Sequence, residues 1–282
     1  MSIALQQIKL SLIITLLCLI STSFLWADCL DLYNSSHTDG ALNIAFEYEK
    51  AELESTDNYL SGAVGTETWK AVHDLDGDLY GASIRFEPPV LNRRIRFDVS
   101  YLTGELDGTF NTQEVSPTPE GPYTGAVKFD RSQWKLGMDI FILNAVYTRF
   151  QYFTYNMDGD WIYTDGSPNE PQEYEFNAYT IGAGFRRNFR QKGGDLGVLV
   201  NVFAGYSLFE YEHTEKTANV SAESDDTGYE LLAELLGTYK LGFGENSFIF
   251  AGAGYSYSNT DDTNLDLTQK GITAKLGIRI TF

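Results

Sequence analysis

Gly271-Ile272-Thr273-Ala274-Lys275-Leu276-Gly277-Ile278-Arg279-Ile280-Thr281-Phe282 is the stretch that decides the fold of this chain. Ile272, Ala274, Leu276, Ile278, Ile280 and Phe282 form one apolar row, while Gly271, Thr273, Lys275, Gly277, Arg279 and Thr281 form the other. A strand points successive side chains to opposite faces, so this segment has one face suited to hydrocarbon and one suited to a polar interior.

Working outward from the tail, alternation combined with turn signals marks nine further candidate strands. They fall at Ala41–Lys50, Asp78–Glu87, Arg94–Leu102, Ser132–Phe141, Ala145–Tyr155, Glu175–Phe185, Leu196–Phe209, Tyr229–Leu241 and Phe248–Tyr257. In the third, Ile95, Phe97, Val99 and Tyr101 oppose Arg94, Arg96, Asp98 and Ser100. Pro88-Pro89 ends the second, because proline has no amide hydrogen to give a ladder. Glu230 to Leu236 would suit a helix in water, but Glu230 and Glu234 alternate with Leu231, Ala233 and Leu235 as a strand requires. Connections at 88–93, 142–144, 187–195 and 242–246 are short, whereas those at 51–77, 103–131, 156–174, 210–228 and 258–268 are longer. The longer set is expected to form outer loops over shorter turns. With both termini on one side the strand number is even: ten, with eight or twelve as the alternatives.

A last strand that alternates and ends on an aromatic resembles the C-terminal assembly signal of bacterial outer-membrane β-barrel proteins. The resemblance implies an all-β chain, a transmembrane antiparallel up-and-down β-barrel in the bacterial outer membrane. It also implies contact with outer-membrane lipid and lipopolysaccharide, and with the barrel-assembly machinery through the C-terminal strand. The N-terminus agrees: Lys9 precedes an apolar run from Leu10 to Ile20 and a small-residue stretch, the layout of a secretory signal peptide. The expected organisation is a signal peptide over 1–27, a periplasmic tail over 28–40 and the barrel over 41–282. Cleavage after Ser23, an uncleaved anchor and a lipoprotein site at Cys29 are the alternatives at this end.

Composition fits. A mean hydropathy of -0.23 with 14% aromatic residues is low for helical membrane proteins but expected where alternate residues face lipid. The net charge of -19 argues against a nucleic-acid partner, which would need a basic surface. Of the two cysteines, Cys18 lies in the leader, leaving Cys29 with no internal disulfide partner. Tyr48, Tyr80, Tyr101, Tyr152, Tyr206, Tyr239 and Tyr255 lie near strand ends, where aromatic girdles sit. Glycines at 182, 184, 252 and 254 read as sites of bending and close packing, since no helix follows to make a nucleotide loop.

The lumen rows are rich in charge. Glu47, Glu49, Arg85, Arg94, Arg96, Asp98, Lys135, Asp139, Arg149, Glu230, Glu234, Lys240, Lys275 and Arg279 all fall on them, in both signs. Barrels of about eight strands are filled by side chains, whereas sixteen leave an aqueous channel. Ten strands so lined are expected to interlock as a charge network; a narrow gated pore is the alternative. Lys275 and Arg279 are expected to meet Glu47 and Glu49 where the last strand closes on the first.

The expected outer loops are acidic: Glu52, Glu54, Asp57, Glu67, Asp74, Asp76 and Asp78 in or beside the first, Asp158, Asp160, Asp165, Glu170 and Glu173 in the third. Glu212, Glu215, Glu223, Asp225 and Asp226 follow in the fourth, and Asp261, Asp262 and Asp266 at the fifth. They read as a solvated rim, or as ligands for divalent cations, with Asp74-Leu75-Asp76-Gly77-Asp78 the best local candidate. Strand number and length also resemble the omptin proteases, which carry an Asp pair and an Asp–His pair. Asp74, Asp76 and His213 are the positions nearest that pattern, but Tyr211 stands two residues before His213 where the pattern has Asp. No cofactor is expected. The functional expectation is a non-enzymatic surface or envelope protein, then a narrow channel for small solutes, then a rim protease.

Overall fold

Two rows of alternating residues exchange their polarity midway along the first strand, β1 (Ala41–Ser61). The outward row begins Leu42, Ile44, Phe46 and Tyr48, then continues as Lys50, Glu52 and Glu54. The inward row does the opposite, passing from Asn43, Glu47 and Glu49 to Ala51 and Leu53. A wall facing lipid must be apolar outside; one that has left the bilayer must be polar outside and can bury apolar groups inside. The same wall does both in turn.

The computed structural model describes residues 40–61, 67–89, 95–116, 120–143, 145–190, 194–217, 220–243, 246–260 and 265–282. The expected signal peptide, Cys29 and almost all of the tail to residue 40 lie outside these residues, as does Arg94. After β1 come β2 (Glu67–Glu87), β3 (Ile95–Ser116), β4 (Glu120–Phe141), β5 (Val146–Tyr163), β6 (Glu170–Arg190), β7 (Leu196–Glu215), β8 (Val220–Lys240), β9 (Phe248–Thr260) and β10 (Leu265–Thr281). Each strand pairs antiparallel with its chain neighbours, and β10 pairs with β1 to close the barrel. Closure leaves no open sheet edge, which is what lets a sheet cross hydrocarbon with every backbone group paired. It runs in register from Ala41 opposite Thr281 past Glu47 opposite Lys275. Gly40 N–H donates to the Phe282 carbonyl at 2.8 Å and Phe282 N–H returns the bond at 3.0 Å.

The expected long outer loops are mostly strand. Glu52 to Gly77, apart from residues 62–66, which lie outside those described, belongs to β1 and β2, and residues 103–116 and 120–131 extend β3 and β4. The apolar row in these extensions faces inward, so a search for outward apolar rows stops short of them. β8 is strand throughout Glu230–Leu236, because both sides of that segment are taken by ladder partners on β7 and β9.

The two tiers are separated by a ring of outward aromatics. Tyr48 lies opposite Tyr80, Tyr101 opposite Trp134, Tyr152 opposite Tyr179 and Tyr206 opposite Tyr229. Ring centroids are 5.3, 4.6 and 5.2 Å apart in the first three pairs. Amphipathic rings at this height suit the lipid–water boundary. On the terminal side of the ring lies the lipid belt, including Ile44, Ile84, Leu136, Ile181, Leu235 and Leu276, all exposed.

Candidate functional site

Parity brings the lumen charges of the belt tier together, and their lengths let them reach across strands. Lys275 Nζ lies 3.0 Å from Glu47 and 2.7 Å from Glu234. The second contact passes over β9, where Gly252 and Gly254 stand opposite Lys275 and Glu234. A Cβ at Gly254 would come within 2.7 Å of Thr273 Oγ1. Glu234 also accepts a bond from Asn201 Nδ2 at 2.6 Å, and Asn201 accepts one from the Tyr147 hydroxyl at 2.9 Å.

A second group joins three strands. Arg149 Nε donates to Asp139 at 2.6 Å and its Nη2 to Asp98 at 2.8 Å. Arg96 Nε stands 3.1 Å from the other Asp139 oxygen. Lys135 lies 3.7 Å from Glu230, which accepts from Gln151 Nε2 at 2.7 Å. Arg279 forms a two-armed pair with Glu87 at 2.8 and 2.6 Å, the planar fork geometry that suits a carboxylate. The expected pairing of Arg279 with Glu47 or Glu49 therefore gives way to Glu87. Register sets Arg279 opposite Asn43, while Glu49 faces Thr273 and lies over Gly271.

Several lumen residues escaped the reading of the sequence, and they sit at or next to the ends of the expected strands. Arg186 follows Phe185, Arg131 precedes Ser132, and Glu87 precedes the two prolines. All three share the inward parity of their strands and face the lumen. Arg131 donates to Gln133 at 2.7 Å and lies over the Tyr155 ring at 4.1 Å. Carrying the inward parity on to Glu87, and one residue past the expected ends to Arg131 and Arg186, would have found each.

Beyond the aromatic ring the lumen is filled by apolar side chains. Leu53, Leu75, Leu79, Leu106, Phe110, Phe129, Tyr155, Trp161 and Phe176 are at most 2% exposed and belong to one cluster. Tyr155 stacks on Phe176 at 4.7 Å and Phe110 on Trp161 at 4.7 Å. Two histidines are embedded here. His73 Nδ1 is 3.1 Å from Ser55 Oγ and its Nε2 is 3.3 Å from the Tyr174 hydroxyl. His213 Nε2 lies 2.7 Å from Gln172 Oε1, and its ring stacks on Tyr174 at 4.4 Å. Burial lowers the His73 ring to a pKa of about 4 and, with His73 nearby, His213 to about 3, so both are neutral at pH 7.

The outer-tier acids stand on the outside of the wall. Glu52, Glu54, Asp74, Asp76 and Asp78 are exposed, as are Asp158, Asp160, Glu173 and Asp225. Register sets like charges side by side: Glu52 with Asp76, Asp76 with Asp107, Glu105 with Asp130, Asp130 with Asp158 and Asp158 with Glu173. Asp226 and Glu215, expected in a loop, instead face inward. Asp261 and Asp262, and the side chains of Asp57, Glu67 and Glu223, lie outside the described residues. Asp74, Asp76 and Asp78 project as a row from one strand face. Among the described residues no three or more His, Cys, Asp or Glu side chains gather as a metal site. Asp74 and Asp76 face out while His213 faces in, so the wall separates the residues nearest the omptin pattern.

Ten closed antiparallel strands, an outward apolar belt and an aromatic ring define a bacterial outer-membrane β-barrel protein. Its backbone is similar to the crystal structure of the outer membrane protease OmpT from Escherichia coli, with TM-score 0.56 and 11% identity over 88% of this chain and 98% of that one. The translocator domain of autotransporter NalP from Neisseria meningitidis aligns at TM-score 0.38 and 13% identity, over 89% and 91% of the two chains. Neisserial surface protein A (NspA) aligns at TM-score 0.34 and 14% identity, over 86% and 99%. No family model and no curated protein matches the sequence.

Proposed function

We propose that this protein is a non-enzymatic envelope protein whose barrel is closed to solutes and presents a rigid acidic collar beyond the outer leaflet. The observation that carries this reading is the apolar cluster filling the outer-tier lumen, stacked on the charge network of the belt tier. A solute crossing the lumen would have to push through both packed layers, which are of opposite character. Opening the lower one would separate buried ion pairs, at a cost of several kcal/mol for each uncompensated charge. The collar extends the wall well past the aromatic ring and offers carboxylates at the height of the lipopolysaccharide head groups, where bridging divalent cations would relieve its self-repulsion. Planar-bilayer recording on the purified protein tests the reading. The expected result is a silent membrane; steady unitary currents would replace it with the narrow-channel alternative.

A further inference from the structure

Most lumen charges of the belt tier balance within their own groups. Asp98 and Asp139 balance Arg96 and Arg149, Glu87 balances Arg279, and Glu230 balances Lys135. Arg85 and Arg186 stand outside these pairs. Arg85, Arg186 and Lys275 line a cavity of about 20 Å³, and the carboxylates there, Glu234 on its wall and Glu47 beside it, are both held by Lys275. That group carries one positive charge in excess.

The two arginines are left over because their cross-strand neighbours are engaged elsewhere. Arg85 stands opposite Asp98, but Asp98 turns to Arg149 at 2.8 Å. Arg186 stands opposite Asn201, which is neutral and gives its amide to Glu234 at 2.6 Å. Arg186 is repelled by Arg85 and Arg96 and attracted at longer range by Glu234 and Glu87. Among the described residues neither Arg85 nor Arg186 has a carboxylate at ion-pair distance. A cation enclosed by a membrane-embedded wall requires a counter-charge, since an unpaired buried charge is strongly unfavourable.

We propose that the cavity binds one small monovalent anion of halide size, held between the Arg85 and Arg186 guanidiniums. Donors dominate its polar wall. Guanidinium nitrogens donate and never accept, and Asn43 Nδ2, buried on the same wall, has no hydrogen-bond partner. Such a wall suits an acceptor-only ion better than water, which needs acceptors as well. The volume is room for at least one water-sized occupant. Leu199, Leu236, Phe248 and Phe250 also line it and lower the local dielectric, which strengthens the pairing.

The test uses the full-length protein purified in detergent and crystallised from sodium bromide. The expected result is one anomalous bromide peak in contact with both Arg85 and Arg186. Heat unfolding should also be about tenfold slower in chloride than in gluconate at matched ionic strength, because only the smaller ion fits and stabilises the folded form. Arg186→Gln should abolish both effects. A bromide map without a peak in the cavity overturns the proposal, as does an unchanged chloride effect in Arg186→Gln. If that variant does not fold, Arg85→Gln replaces it, and the wild-type bromide map decides by itself.

Discussion

Lys275 of β10 pairs with Glu234 of β8 at 2.7 Å by reaching across an intervening strand that offers only glycine there. The same ammonium holds Glu47 at the seam where β10 meets β1. One side chain thereby ties three strands at the closure of the barrel.

Removing that ammonium strands two carboxylates inside the wall. Lys275→Met is expected to destabilise the barrel by about 3–5 kcal/mol, the usual cost of breaking a buried pair from one side. Adding Glu47→Gln and Glu234→Gln should recover much of the loss, since neither carboxylate is then left without its ammonium. Urea unfolding in lipid vesicles measures both. A Lys275→Met barrel as stable as wild type would remove the tie from the account of closure.

The outer-tier cluster behaves as a core in water. Phe176 is fully buried, stacked on Tyr155 and 5.2 Å from Phe209. Phe176→Ala should cost about 3–5 kcal/mol and Leu106→Ala about 2–5 kcal/mol, the range for deleting buried apolar groups. Phe46→Ala, on the lipid face, should cost clearly less than Phe176→Ala. Equal losses at Phe46 and Phe176 would argue that the outer-tier lumen is not packed.

The buried histidines give the outer tier an acid sensitivity of known sign. Their folded pKa values, about 4 for His73 and about 3 for His213, lie below the ordinary 6.5. From pH 6.5 downward the unfolded chain takes up protons that the folded rings refuse, so stability falls as pH falls and is level above 6.5. Full loss for His73 is on the order of 3 kcal/mol. Unfolding midpoints between pH 6.5 and about 5, above the main carboxylate range, isolate the effect. The double variant His73→Gln, His213→Gln should be flat there; an equally steep variant would assign the slope to other groups.

Charge on the collar is set against itself. Asp130 lies between Glu105 and Asp158, all three acidic. Like charges directly opposite each other destabilise a sheet pair. Asp130→Lys should therefore slow heat unfolding at low ionic strength, and the gain should vanish in high salt, where exposed charges are screened. A gain that persists in high salt would point to packing instead of charge.

How far the sequence could be read follows from what alternation encodes. Period-two patterning is local, so ten strands, their inward parity and the β1–β10 seam were legible from side chains alone, and the tail ending in Phe282 with its Lys275 row was enough to begin. The polarity switch after Tyr48 was also present in the sequence, but it marks a strand only once it is known that the wall continues into water. Partner choice was not legible at all. Arg279 took Glu87 in place of Glu49, and Lys275 spanned β9 to reach Glu234. Side-chain reach across a closed curve depends on barrel radius, register and the glycines that lie between, quantities that exist only when all ten strands are assembled. The sequence by itself thus determined which residues would face inward, and the tertiary structure decided which of them would neutralise one another and where a positive charge would be left over.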